Sequence, residues 1–268
     1  MNGPERLQQN VGLIRSRVGA AFLGSHAIFR GKDLHAELGD LGWMAVYLLG
    51  VTGRTFGDRE LRLLESIWSY TSYPDTRIWN NRVAALAGST ASTGTLGLSA
   101  ALAVSEAGIY GQGPCTRAID FLYRARAELE AGAELGPCVQ RELSLRRSLG
   151  GYGRPVTSAD ERIAPLLKLA KSLGLSGGCY LKLAYAIEDH LLAGRYRMHI
   201  NYAGVVAGLA ADLGLSTREY YFYLFPCFLA GMVPCYIDAS RRTAGTLLPL
   251  PCNGVTYEGA PKRTWVER

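Results

Sequence analysis

The sequence predicts an all-α fold. Apolar residues recur every three or four positions over most of its length, and no run alternates apolar with polar residues as a half-buried strand would. Glycine clusters (Gly50, Gly53, Gly57; Gly111, Gly113; Gly150, Gly151, Gly153) separate the periodic segments.

Taken in order, Leu34–Leu49 repeats with helical spacing, and Glu60–Trp68 does the same after Asp58, a residue suited to an N-cap. Ile163–Leu173 is amphipathic, with Lys168 and Lys171 on its wet side and Gly174 as its stop. Cys179–Leu192 continues the pattern. Leu96–Val104 and Val205–Leu213 are apolar enough to serve as interface material. Tyr220–Ile237 is uncharged and long enough to span a bilayer, but it holds Pro226, Pro234 and four tyrosines, as a core helix of a large helical protein also would. The Gly50–Thr55 stretch lacks the lysine ending of a phosphate loop, and Gly111-Gln-Gly113 follows no strand, so neither predicts a nucleotide site.

With 268 residues, 48% of them hydrophobic, the chain has material for a large core and is no disordered segment. Its net charge of +6 comes from 29 basic and 23 acidic residues, and only five of the basic ones are lysine. Arginine's planar fork suits bidentate capture of carboxylate or phosphate. The arginines are dispersed, without the stripes or interleaved aromatics of nucleic-acid binders, so small anions are the expected partners. The six cysteines and four histidines show no zinc-ligand spacing, and no metal is expected. The polar start MNGPERLQQN lacks the apolar stretch of a signal peptide, so a cytoplasmic protein with reduced thiols is expected.

Five segments, in order, carry a resemblance. Phe29–Thr52 resembles the "RGYDLxDLxGRLSFxEVxYLLLTG" opening of citrate synthases and citryl-CoA lyases, and Gly151–Arg162 (GYGRPVTSADER) resembles their "GxGHPVYKxxDPR" loop. Ser72–Gly88 falls where that superfamily has "DHExNASTFxAR", Ala107–Gly111 where it has "GPLHG", and Asn201–Gly204 where it has "NVDG". The resemblance implies a citrate-synthase-like two-domain helical fold and a homodimer. Its large domain would comprise residues 1–107 and 204–268, its small domain residues 108–203. It also implies that Tyr220–Ile237 is a buried helix and that no membrane is involved.

The departures are chemical. The superfamily joins an acyl-CoA to a 2-oxoacid with an aspartate base and two histidines; here the aspartate position holds Ala203, the enolate histidine position Tyr110, and the ketone-side histidine position Arg154. Asp75 stands where a further family histidine would. Loss of a general base removes roughly 10²–10⁴ of rate, so ordinary citrate synthesis is not expected. An anion pocket with altered chemistry is. Arg162 aligns with the arginine that grips a substrate carboxylate, and Arg154 adds a second cation; Arg77, Arg82, Asn80, Asn81, Asn201 and Tyr202 complete the substrate-binding set. Tyr110 would donate to an oxyanion, and Asp75 or Tyr202 would transfer the proton. Glu106 is a further carboxylate, and Asn201 equally suits a helix cap. Gly151 and Gly153 would offer backbone groups to a CoA thioester. Two functions follow: an enzyme making or breaking a C–C bond, or eliminating, next to a carbonyl; or an inactive homologue that binds CoA or a tricarboxylate as a regulatory or scaffolding subunit.

Overall fold

The computed structural model describes residues 3–154, 159–247 and 252–263, so residues 155–158 of the glycine-rich loop lie outside it. In chain order the elements are α1 (Gly3–Gln9), β1 (Gly19–Phe22), β2 (His26–Phe29), β3 (Lys32–Asp33), α2 (Trp43–Thr52), α3 (Asp58–Thr71), α4 (Trp79–Ser89) and α5 (Gly94–Val104). Then follow α6 (Gln112–Glu130), α7 (Leu135–Arg146), α8 (Ile163–Ser172), α9 (Cys179–Ala193), α10 (Tyr202–Asp212), α11 (Thr217–Leu224) and α12 (Leu229–Ser240). The fold is helical, with one small antiparallel sheet in the order β1-β2-β3.

The chain forms two compact units: Met1–Tyr73 with Ser105–Phe228, and Pro74–Val104 with Leu229–Arg268. In the first, α10 is the central helix. Val205, Val206, Ala207, Leu209, Ala210 and Ala211 are all at most 3% exposed, which removes Val205–Leu213 from the expected interface material. A helix apolar on every side has no wet face to show, and α6 and α9 pack against it. Asp212 at its end reaches back to α9, where its carboxylate accepts the Tyr180 and Leu181 N–H groups.

Several local expectations need correction. The helix expected over Leu34–Leu49 begins only at Trp43, residues 34–42 being turns. The N-cap of α3 is Gly57, whose N–H donates to Glu60, while Asp58 is the first helical residue. The strands show no alternation in the sequence because they are four, four and two residues long and bury no residue fully. The stretch expected as one helix from Tyr220 to Ile237 is α11 and α12 with turns at 225–228 between them. Thr217–Ser240 is long and apolar enough to cross a membrane. Yet α11 buries Tyr220, Tyr223 and Leu224 in the first unit, and α12 buries Met232, Cys235 and Ala239 in the second.

Tyr220 and Tyr223 are both fully buried but differ in one bond. The Tyr223 hydroxyl donates to Leu64 O at 2.7 Å, whereas the Tyr220 hydroxyl has no partner among the described residues. An unmet buried hydroxyl is costly, so Tyr220→Phe should leave stability unchanged or raise it by about 1 kcal/mol, while Tyr223→Phe should lower it by about 1 kcal/mol. Urea denaturation of the two variants checks the contrast.

The second unit is built from α4, α5 and α12. Gly88 lets α12 approach α4, since a Cβ there would stand 2.4 Å from the Tyr236 carbonyl oxygen. Gly97 does the same for α5, where a Cβ would meet Ala87 Cβ at 2.5 Å.

Candidate anion site

In the first unit the glycine-rich loop is seated on the start of α10. Gly151 and Gly153 both have positive φ (88° and 77°), a conformation that suits glycine. Asn201 caps α10 by accepting the Ala203 and Gly204 N–H groups, and its Nδ2 donates to Gly153 O at 2.8 Å. The Gly153 N–H donates to His199 O at 2.7 Å, and Gly151 O accepts the Asn201 N–H at 2.9 Å. These backbone groups, expected to serve CoA, hold the loop to the helix here, and the Asn201 side chain is a cap rather than a contact for substrate.

This seating brings Arg154 and Arg162 to one carboxylate. Arg162 grips Asp160 with two parallel bonds, Nε to Oδ1 and Nη2 to Oδ2, each 2.9 Å. Arg154 Nε lies 3.8 Å from Asp160 Oδ2. Asp160 has a fully buried side chain, while the arginine side chains are 25% (Arg154) and 23% (Arg162) exposed. Asp160 also accepts the Tyr202 N–H at the first turn of α10 (2.9 Å) and the Arg162 N–H at the start of α8 (3.3 Å). Helix N-termini and guanidinium groups together make a strongly anion-favouring spot. Burial alone would raise the Asp160 pKa. The Arg162 hydrogen bonds and charge, the Tyr202 N–H and the Arg154 charge outweigh it and hold the carboxyl below its ordinary 3.8.

Aromatic rings frame Arg162. Its guanidinium carbon lies 4.4 Å from the Tyr202 ring centre and 5.5 Å from that of Tyr73. The Tyr202 hydroxyl is therefore not the proton-transfer group expected of it: Tyr202 is 5% exposed, its O–H donates to Ile67 O at 2.9 Å, and burial raises its pKa. Cys115, on α6 and close enough to feel the Arg162 charge, has its thiol pushed up to about 11 by burial, so it is no ready nucleophile.

Glu161 completes the cluster. Its carboxylate accepts Arg154 Nη1 at 3.0 Å and the Tyr73 hydroxyl at 3.1 Å. Its own N–H, then Arg154, lower its pKa. The sequence does not single out Asp160, Glu161 or Tyr73 as site residues. The Asp160-Glu161-Arg162 tripeptide was the available signal for the first two, while Tyr73 lies 88 positions from Glu161 and gave none.

Tyr110 stands in the same unit, 42% exposed, just before Gly111, whose positive φ (72°) starts α6. Its loop is held by Arg117, which donates to Gly108 O at 2.7 Å. Glu106 accepts the Tyr221 hydroxyl at 3.0 Å.

The remaining expected site residues lie in the second unit and form a network of their own. Asp75 accepts two hydrogen bonds from Arg77 Nε and one from Nη2 (2.7 Å), as well as the Arg77 N–H. Those bonds keep its carboxyl below 3.8, a poor setting for a general base. Asn80 and Asn81 are 2% and 3% exposed; Asn80 Oδ1 accepts the Asn81 N–H, and Asn81 Nδ2 donates to Asp75 O. Arg82 is exposed, with Nε directed at Thr76 O (3.4 Å). The segment thus closes its own turn into α4. Among the described residues, no group of three or more histidine, cysteine or acidic side chains could hold a metal ion.

Comparison with solved structures bears on the fold. Citryl-CoA lyase from Hydrogenobacter thermophilus superposes with a TM-score of 0.80 at 18% identity, over 94% of this chain and 97% of that one. The ATP citrate lyase of Methanothrix soehngenii, solved with citrate and coenzyme A, gives 0.75 at 16% identity over 97% of this chain and 44% of that chain. Citrate synthase from Thermotoga maritima gives 0.65 at 18% identity over 85% and 60%. No protein-family model matches the chain, and no curated protein does. The helical architecture and its end-to-end agreement with a citryl-CoA lyase give this chain a citrate-synthase-like helical fold.

Proposed function

We propose that this protein is a diverged citrate-synthase-like enzyme acting on a small carboxylate, either free or as a CoA thioester, by forming or cleaving a C–C bond or by elimination next to a carbonyl. One observation carries the reading: two guanidinium groups, each about three-quarters buried, converge on a single carboxylate at the N-termini of two helices. A guanidinium has five N–H donors, and the fork on Asp160 uses two of those on Arg162. Arg154 and Arg162 would hold the substrate's carboxylate. Tyr110 would donate to the oxyanion that develops at the carbonyl, as its replacement of the family histidine implies. Asp75, whose carboxylate Arg77 already engages, is given no role in this proposal. The division at residues 107/108 and 203/204, the homodimer and the cytoplasmic setting belong to the same proposal.

The test is mass-spectrometric detection of the products formed from short dicarboxylic and tricarboxylic acids and their acyl-CoA thioesters: a shorter acyl-CoA with a 2-oxoacid for C–C cleavage, or an unsaturated product for elimination. Tyr110→Phe should lower kcat at least tenfold, and Arg154→Ala should raise KM at least tenfold. An unchanged kcat in the first and an unchanged KM in the second would overturn the assignment of roles.

A second reading is favoured by specific features. Ala203 has no ionisable group where the family base stands, and Asp160 and Glu161 match the charges of the two arginines. An inactive homologue that binds CoA or a tricarboxylate would look the same. Binding without turnover, together with altered kinetics of a companion synthase, would select it.

A further inference from the structure

Glu161 lies between Asp160 and Arg162 in the sequence. Its carboxylate engages two donors from distant parts of the chain, Arg154 Nη1 at 3.0 Å and the Tyr73 hydroxyl at 3.1 Å. A cation and a hydroxyl converging on one carboxylate make a complete carboxylate seat, and here the protein's own side chain fills it.

Asp160 and Glu161 differ in a way that matters. The Asp160 side chain is fully buried and tied to Arg162 and to backbone N–H groups of two helices, so it is a fixed part of the structure. The Glu161 side chain is 58% exposed and its two bonds face solvent, so it can swing out at little cost. The donors it would leave are already aimed: Tyr73 is placed beside the Arg162 guanidinium, and Arg154 is fixed by Ala159 O at 2.5 Å and by Asp160.

We propose that Glu161 is a built-in competitor for the anion seat: it occupies the Arg154–Tyr73 pair when no substrate is bound, and a substrate carboxylate must displace it. The inference rests on the reading of Arg154 and Arg162 as the carboxylate-binding pair. It assigns Glu161 and Tyr73 to ligand selection, since a ligand with one weakly held carboxylate fails to dislodge Glu161, whereas a di- or tricarboxylate that also engages Arg162 succeeds.

Calorimetric titration with succinate, malate and citrate tests this on wild type, Glu161→Gln, Tyr73→Phe and Arg154→Ala. Glu161→Gln keeps the side chain's size and removes its charge, and should bind at least one of the three tenfold more tightly than wild type. Tyr73→Phe should weaken that binding, and Arg154→Ala should abolish it. If Glu161→Gln and wild type bind equally while Arg154→Ala loses binding, the competitor role is overturned and the carboxylate-binding pair stands. If wild type and all three variants bind none of the acids, or if Arg154→Ala binds as well as wild type, the pair itself is overturned and the competitor role with it.

Discussion

Replacing Arg162 by alanine will destabilise the fold by roughly 3 kcal/mol, because it strands a buried charge. Asp160 is fully buried and takes its two strongest contacts from the Arg162 fork. Arg154, at 3.8 Å, remains as a weaker partner, which places the loss at the lower end of the range for breaking a buried pair. Stacking on Tyr202 is lost as well. The pH dependence carries the signature. In wild type the folded-state pKa of Asp160 is depressed, so its stabilising contribution is complete above the ordinary 3.8 and fades as pH falls through the lower folded value. In the variant burial dominates and raises the pKa, so protonation relieves the stranded charge. The stability gap between the two proteins should therefore narrow on acidification below neutrality. A gap that is constant with pH would mean that the loss comes from packing alone.

Gly151→Ala should be comparably damaging for a different reason. A Cβ at Gly151 would lie 2.7 Å from Gly204 Cα and 3.0 Å from Gly204 N, and the residue has φ of +88°. Overpacking and left-handed strain together suggest a loss of roughly 3 kcal/mol. Gly204→Ala meets the reverse side of the same contact, with Gly151 O at 2.5 Å and Ile200 Cγ1 at 2.7 Å, and should match it. Gly153 is the internal control. Its φ is +77°, but the nearest atom to a Cβ is Met198 Sδ at 3.6 Å, so Gly153→Ala should cost only the strain, about 1–2 kcal/mol. Urea midpoints for the three variants rank them. Equal losses at Gly151 and Gly153 would show that close packing of the loop on α10 is not what fixes the site.

How much of this was legible in the sequence depended on the physics of each part. Amphipathic helices announced themselves, so α8, α9 and the body of α3 were placed within a few residues, with Gly174 (φ +72°) ending α8 as expected. The all-apolar α10 was readable as a helix, but its position was not. A segment without a wet face suits an oligomer interface as well as a core, and only packing shows that it is the core. The short strands between residues 19 and 33 carry too few residues for a period to show.

The site was half legible. The resemblance pointed to Arg154 and Arg162, and the fold brings both to one carboxylate. The carboxylate itself went unread, because an acidic residue beside an arginine looks like solvated surface, yet Asp160 is buried at the junction of two helix starts. A tyrosine hydroxyl misleads for the converse reason. Sequence shows that Tyr202 has a hydroxyl, but not that Ile67 O already holds it. Asp75, Asn80 and Asn81 fell to the same limit, being engaged with their own neighbours at the start of α4.

Arg154→Ala offers the most direct measurement of the central claim, because Asp160 keeps its bidentate partner Arg162 and the buried pair survives. Calorimetric titration of this variant and of wild type with citrate and with an acyl-CoA thioester should show at least a tenfold loss of affinity in the variant, with the protein still folded. Equal affinities in the two proteins would contradict the account and leave the arginine cluster as a structural ion network.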